Sequence, residues 1–143
     1  MPTSVEGRPV FAVDTSVAIA ALDAGHAAHT HCRERVMRAG AALAGHAAFE
    51  TYSVLTRMPG PLRMDAPSAA EILRTAFPRR CGLSPAACDE LLARCGVVGI
   101  VGGAIYDALV GEASRVNGCT LLTRDRRAQR TYDLLGVPYQ LMS

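Results

Sequence analysis

The segment PVFAVDTS at residues 9–16 decides the fold class, because a short apolar run passes directly into residues that begin helices. The apolar part, residues 9–13, has the length and composition of a buried strand. Asp14, Thr15 and Ser16 are residue types that accept hydrogen bonds from the free backbone N–H groups at a helix start. The segment therefore predicts a buried strand followed at once by a helix, which is typical of an α/β protein.

The same alternation continues along the rest of the chain. Apolar periodicity, together with the positions of Gly and Pro, predicts helices over 16–24, 27–38, 47–57, 68–77, 85–94, 103–116 and 128–135. Short apolar runs predict strands over 9–13, 41–45, 79–83, 119–123 and 138–142. Strands that alternate with helices form a parallel sheet covered on both faces. We expect an α/β fold, a three-layer α/β/α sandwich with a short parallel sheet, in one domain over residues 1–143.

The composition excludes several classes of enzyme. The 143 residues are 50% hydrophobic and 20% charged, as in an ordinary globular protein, and all 15 basic residues are Arg. A Walker A loop and a Schiff-base enzyme both need a Lys, which this chain lacks. The formal net charge of +2 is too small for a general nucleic-acid coat, so local clusters of Arg matter more than the total.

The sequence also predicts the compartment. The N-terminal residues lack the basic start and the apolar stretch of a secretory signal, and the longest apolar run, 97–106, is too short and too rich in Gly to span a bilayer. We therefore expect a cytoplasmic protein that does not enter a membrane. In that reducing compartment the five Cys residues need not form disulfides and are expected to pack as small core residues.

Four acidic residues map to one edge of the predicted sheet. Asp14 and Asp125 directly follow two predicted strands, and Glu50 and Asp107 lie in the first turn of two predicted helices. Ligands of open parallel sheets bind beyond the carboxyl ends of the strands. Carboxylates gathered there repel one another unless a cation is present, and their oxygen atoms suit Mg²⁺ or Mn²⁺. The sequence thus predicts a metal site for phosphodiester hydrolysis, where a bound cation lowers the pKa of water.

Neighbouring residues fit the same site. Hydroxyl groups beside the acids are predicted to orient metal-bound water, namely Thr15, Ser16 and Thr123. Basic side chains near the same edge are predicted to contact substrate phosphates, namely Arg57, Arg124, Arg126 and Arg127.

Simpler interpretations of these acids stay open when each is taken alone. Asp14 is also a favourable helix cap, and Glu50 and Asp107 suit the positive end of the helix dipole. Asp125 between arginines is also compatible with a solvated ion pair. Their joint placement at one edge favours the metal site over all of these interpretations.

Other clusters allow alternative interpretations. His26, His29 and His31 with the adjacent Cys32 have spacings compatible with zinc, although no second ligand pair occurs elsewhere. Cys81, Cys88 and Cys95 recur every seven residues, which is compatible with either core packing or redox chemistry. The arginine cluster around Asp125 is also compatible with an ordinary solvated face.

Four segments in order carry a family resemblance: VDTSV at 13–17, HAAFETYSVLTR at 46–57, VGGAIYDALV at 101–110 and LLTRD at 121–125. Together they resemble a PIN domain of the VapC type, the ribonuclease half of bacterial toxin–antitoxin pairs. The resemblance implies Mg²⁺ or Mn²⁺ held by Asp14, Glu50, Asp107 and Asp125. It also implies a homodimer, cleavage of structured RNA such as tRNA or rRNA, and a VapB-type antitoxin whose C-terminal segment blocks the site.

Two other functions are alternatives to this endoribonuclease. The first is a catalytically inactive PIN-like module that only binds RNA or protein, which would not need to keep four mutually repelling acids. The second is a nuclease acting on DNA, for which the chain offers no separate duplex-binding domain.

Overall fold

The computed structural model describes residues 10–143, and these contain one parallel sheet. Its strand order is β3-β2-β1-β4-β5. The strands are β1 (Phe11–Val13), β2 (Ala42–Ala44), β3 (Arg80–Cys81), β4 (Thr120–Thr123) and β5 (Tyr139–Leu141). All four pairings are parallel, and β1 lies in the centre with Val13 in register with Leu43 and Leu122.

Seven α-helices connect these strands within the described residues. They are α1 (Thr15–Leu22), α2 (His29–Ala39), α3 (Ala47–Arg57), α4 (Ala66–Ala76), α5 (Pro85–Val98), α6 (Ala104–Val116) and α7 (Gln129–Leu135). Helix α1 packs on α2 and α3, whereas α6 packs on α5 and α7. Every residue of β1 and β2 is buried, which is expected of strands covered on both faces. The predicted α/β sandwich is confirmed.

The observed elements differ from the predicted ones mainly at their ends. Helix α5 continues past the predicted end at residue 94, because Leu91 and Cys95 are buried on one face and Gly99 supplies a left-handed cap with φ of 80°. The stretch before α7 is a 3₁₀ turn, Arg126–Ala128, instead of the start of that helix. Strand β3 has only two residues, and the predicted start of the first strand at Pro9 lies outside the described residues.

The register of the sheet brings the carboxyl ends of β1 and β4 together at one edge. Asp14 follows the last residue of β1, and its backbone N–H donates to the carbonyl of Leu122 in β4 at 3.3 Å. The loops that leave β1 and β4 therefore begin side by side. Within residues 10–143, no helix combines the length and the apolar character that crossing a bilayer would require.

Candidate active site

Asp14 lies at the centre of this edge and is nearly inaccessible, with 5% of its surface exposed. Its Oδ1 accepts hydrogen bonds from the Ser16 hydroxyl at 2.5 Å and the Val17 backbone N–H at 3.3 Å. Its Oδ2 accepts one from the Tyr132 hydroxyl at 3.0 Å. Asp14 is thus the cap of α1, as the simpler interpretation predicted, and it is also held rigidly beside the site.

The other three acids reach the same place from different elements. Glu50 and Asp107 lie in the first turns of α3 and α6, and Asp125 follows β4 and caps the 3₁₀ turn through the Arg127 N–H. A cleft of about 210 Å³ separates them. Its lining consists of Asp14, Thr15, Ser16, Glu50, Asp107, Val110, Asp125 and Tyr132. The predicted convergence of the four acids on one cleft is therefore observed, and no basic side chain is part of that lining.

Burial and mutual repulsion act strongly on these carboxylates. Burial raises the pKa of Asp14, and the hydrogen bonds from Ser16 and its other donors offset this only in part. Burial raises the pKa of Asp107 to about 6, with further contributions from the charges of Asp125, Glu50 and Asp14. Burial also raises the pKa of Glu50, to which the charge of Asp14 adds. The cleft therefore favours positive charge.

The arrangement suits a partly hydrated cation better than a closed cage. Within residues 10–143, no three His, Cys, Asp or Glu side chains are spaced to enclose a metal ion by themselves. Mg²⁺ keeps several water molecules and commonly uses one or two carboxylates together with substrate phosphate oxygens. A cleft with four acids around an open volume, lined by no basic side chain, fits that mode of binding.

The predicted hydroxyl groups lie where they can support the acids. Ser16 donates to Asp14 and accepts from the Arg124 backbone N–H at 2.8 Å. The Thr123 hydroxyl accepts from the Asp125 N–H at 3.0 Å, which fixes the start of the Asp125 loop. The Thr15 hydroxyl is buried in the cleft lining beside Glu50, and its interaction with that carboxylate partly offsets the burial that raises the Glu50 pKa.

The four predicted phosphate contacts do not gather at the cleft. Arg57 and Arg126 are exposed and are not part of its lining. The Nε of Arg127 lies 3.8 Å from Asp125, but 96% of the Arg127 side chain is exposed, so the solvated ion pair is observed here. Arg124 has a buried Nε, and its charge partly offsets the burial that raises the pKa of Cys32 in α2. Arg124 is not part of the cleft lining either.

Tyr132 is a site residue that the sequence analysis did not identify. Its side chain is 1% exposed, lines the cleft and donates to Asp14. Burial and the nearby negative charges raise its pKa far above the ordinary value, so the hydroxyl keeps its proton. Gly111 leaves the space for its ring, since a Cβ there would lie 2.9 Å from Tyr132 Cδ1. The one general rule that could have pointed to Tyr132 is that a buried Tyr hydroxyl usually has a hydrogen-bond partner.

The zinc hypothesis is wrong for the histidine cluster of α2. No group of metal ligands of the required size occurs among residues 10–143. The ring nitrogen Nδ1 of His29 lies 2.9 Å from the Ala20 carbonyl, and that of His26 accepts from the Ala28 N–H. Both rings therefore make hydrogen bonds to backbone groups at or near the connection between α1 and α2.

Comparison with known proteins decides the family. A family model described as "PIN domain" matches residues 11–134, which include all four acids. The chain belongs to the PIN domain family. The predicted family resemblance is confirmed, and it extends to curated relatives of the VapC type.

Two curated relatives of this PIN domain come from Mycobacterium tuberculosis. "Ribonuclease VapC27" is 44% identical over 130 residues, covering 91% of this chain and 95% of the relative. "Ribonuclease VapC40" is 40% identical over 136 residues, covering 94% of this chain and 100% of the relative. A crystal structure of VapBC2 from Rickettsia felis bound to a promoter DNA fragment has a TM-score of 0.63 at 13% identity. It covers 93% of this chain and 98% of that chain, and it supports the fold alone.

The carboxylates of this PIN domain predict an unusual dependence of stability on pH. Because Asp107 has a pKa of about 6 in the fold and 3.8 ordinarily, the folded state binds a proton that the unfolded state releases between these values. Acidification of the metal-free protein from about pH 7 to pH 5 should raise its stability, on the order of 1–2 kcal/mol after allowing for partial exposure. Thermal unfolding in EDTA measures this.

Magnesium supplies the control for that prediction. A bound cation favours the charged carboxylates, so Mg²⁺ should stabilise the protein more at pH 7 than at pH 5. Glu112 does not disturb this comparison. The Arg115 side chain lowers the pKa of Glu112, so the stability that the charged Glu112 contributes is lost only below its ordinary pKa of 4.5, outside the range from pH 7 to pH 5. A metal-free protein that loses stability between pH 7 and pH 5 would contradict the prediction.

Proposed function

We propose that this PIN domain is an endoribonuclease that requires Mg²⁺ or Mn²⁺ and hydrolyses phosphodiester bonds. The observation that carries the proposal is the convergence of four carboxylates on one cleft whose lining contains no basic side chain. RNA as the substrate follows from the relatives, both of which are named ribonucleases. Structured RNA such as tRNA or rRNA, cut in a single-stranded loop, is the expected target class.

In this proposal Asp14, Glu50, Asp107 and Asp125 hold the cation. When bound, the cation offsets the charge of the acids and polarises the phosphodiester and water as a Lewis acid. Ser16 and Tyr132 keep the Asp14 carboxylate in one orientation through their hydrogen bonds.

Two further groups act on the substrate side of the cleft. The Thr15 hydroxyl, which lines the cleft beside Glu50, is placed to orient a water molecule or a phosphate oxygen. The exposed Arg127 side chain near Asp125 is the basic group best placed for a neighbouring phosphate.

We also propose the partners that the family resemblance implies, a VapB-type antitoxin and a second copy of this chain. The VapBC2 complex from Rickettsia felis supports the antitoxin, since it pairs a protein of this fold with its VapB partner. Co-expression with a VapB-type antitoxin should suppress RNA cleavage, and light scattering of the purified chain should report the mass of a dimer.

The decisive experiment compares cleavage of cellular RNA with and without divalent cations. Purified protein should cut a limited set of RNA sites with Mg²⁺ or Mn²⁺, and EDTA should abolish the cuts because uncompensated carboxylates repel phosphate. Mapping of new 5′ ends identifies the target. Full activity in EDTA would refute the metal requirement.

The same experiment separates the two alternative functions. DNA oligonucleotides of matching sequence should stay intact, and their cleavage at the same rate would indicate a nuclease without preference for RNA. RNA binding without cleavage under any metal condition would indicate an inactive binding module.

A further inference from the structure

Three rings form a cluster at the starts of α3 and α6, the helices that carry Glu50 and Asp107. The His46 ring stacks on the Tyr106 ring with centroids 5.0 Å apart and an angle of 20° between the planes. The Phe49 ring lies 6.2 Å from His46 at 31°. The chain contains only seven Phe, Trp and Tyr residues in total, so two of the seven lie in this one cluster. We call His46, Phe49 and Tyr106 the ring cluster.

The ring cluster is tied directly to two acids of the site. Phe49 precedes Glu50 in the first turn of α3, and Tyr106 precedes Asp107 in the first turn of α6. Burial raises the pKa of Glu50, and the charge of His46 lowers it in part, so the His46 ring lies within electrostatic reach of the cleft. The ring cluster therefore bridges the two helices that carry these acids.

The ring cluster is open to solvent in a way that core packing does not explain. Phe49 is 73% exposed and Tyr106 is 51% exposed. A Cβ added to Gly102 or Gly103, which lead into α6, would meet nothing within 4 Å. A Phe ring with this exposure gains little free energy from the fold, so its surface is available to a ligand.

We propose that the ring cluster binds a nucleobase of the RNA next to the phosphodiester held in the cleft. This inference rests on the proposed function. Exposed aromatic rings beside a phosphate site are the arrangement by which proteins bind single-stranded nucleic acid, since every base has a face that stacks. The base must be unstacked to be reached, which favours single-stranded loops and ends over duplex.

A protein partner is the alternative occupant of the same rings. The position of Phe49 and Tyr106 next to Glu50 and Asp107 in sequence favours a base over an apolar side chain, because the bases of a bound RNA lie next to the phosphodiester in the cleft. A second copy of the chain or an antitoxin segment on these rings is an outcome that the test below can detect.

The test measures binding of a short single-stranded RNA in which 2-aminopurine replaces one adenine. The protein carries Asp14→Asn to prevent cleavage, and Mg²⁺ is present. Adding Phe49→Ala should weaken binding about tenfold, a typical loss for one stacked base. Phe49→Tyr should keep the original affinity because the ring is retained. Leu92→Ala, which removes an apolar side chain that is 58% exposed on α5, is the matched control and should change nothing.

An RNA lacking the base makes the test specific. With an abasic site in place of the 2-aminopurine, the proteins with and without Phe49→Ala should bind equally, because neither can stack a missing base. The proposal would be overturned if the proteins with and without Phe49→Ala bound the intact RNA equally. It would also be overturned if Phe49→Ala weakened binding of the abasic RNA as much as binding of the intact RNA.

The mass of each variant separates a base site from a subunit interface. If Phe49→Ala lowers the molecular mass in light scattering while Leu92→Ala does not, the ring cluster binds a second copy and the proposal is overturned. Wild-type cleavage is measured in parallel. If the wild-type protein cleaves RNA but binding does not depend on Phe49, only the proposed base site is refuted. If binding depends on Phe49 but no cleavage is found, only the proposed enzymatic function is refuted.

Discussion

Replacing Asp107 with Asn should abolish RNA cleavage and stabilise the metal-free protein at neutral pH. Loss of a residue that only orients a metal ligand lowers activity about 10–100-fold, so loss of Asp107, a proposed ligand itself, should lower cleavage by more than about 100-fold. The Asn side chain is nearly isosteric and removes a charge that Asp125, Glu50 and Asp14 oppose. The unfolding free energy in EDTA should rise by roughly 1–2 kcal/mol, allowing for partial exposure.

The matched control for this variant is Asp89→Asn on α5, which makes the same change at an exposed position outside the cleft. Asp89→Asn should leave both cleavage and stability unchanged. Cleavage by Asp107→Asn at the wild-type rate would remove Asp107 from the site. A fall in its metal-free stability would show that Asp107 is not under repulsion.

Replacing Tyr132 with Phe should lower cleavage by about 10–100-fold while the fold stays intact, because the hydroxyl orients Asp14, a proposed metal ligand. The change removes one of the side-chain donors to Asp14 and keeps the buried ring that packs beside Gly111. Fewer donors raise the pKa of Asp14 further, so more Mg²⁺ should be needed for half-maximal activity. A titration of cleavage against Mg²⁺ measures this shift.

Tyr139→Phe is the control for Tyr132→Phe, since it removes a hydroxyl that donates to Asp133 at the surface from a ring 5.6 Å away. It should leave the Mg²⁺ dependence unchanged. If both variants reduce activity equally with the same Mg²⁺ requirement, Tyr132 acts through packing alone. A shift confined to Tyr132→Phe identifies it as a positioning residue for Asp14.

The sequence predicted the fold and the acidic site because both depend on local patterns. Buried parallel strands are short apolar runs, and Asp14 directly follows one of them, so its edge of the sheet is fixed by position along the chain. Glu50 and Asp107 in the first turns of helices are brought to the same edge by strand–helix alternation. The end of α5 was not predicted correctly, because sequence alone does not tell which glycine ends a helix. Gly96 lies inside α5, whereas Gly99 ends it.

Arginine directions could not be predicted in the same way. Arg124 is a neighbour of Asp125 in sequence, yet its Nε is buried and its charge acts on Cys32 in α2. Arg124 and Asp125 follow the end of β4, where no regular alternation fixes the direction of each side chain, so proximity in sequence does not fix where a long side chain ends. The phosphate contacts were therefore predicted from position alone, and the cleft lining includes none of them.

The sequence by itself determined the α/β alternation and the edge at which four acids collect, because the hydrophobic period and the residues at which strands end are local properties of the chain. Only the tertiary structure decided that Tyr132, which follows Asp14 by 118 positions, donates to its carboxylate, and that His46 stacks on Tyr106 across two helices. Those contacts depend on how α3, α6 and α7 pack over the sheet. Packing is set by side chains that are distant in sequence and leaves no local signal.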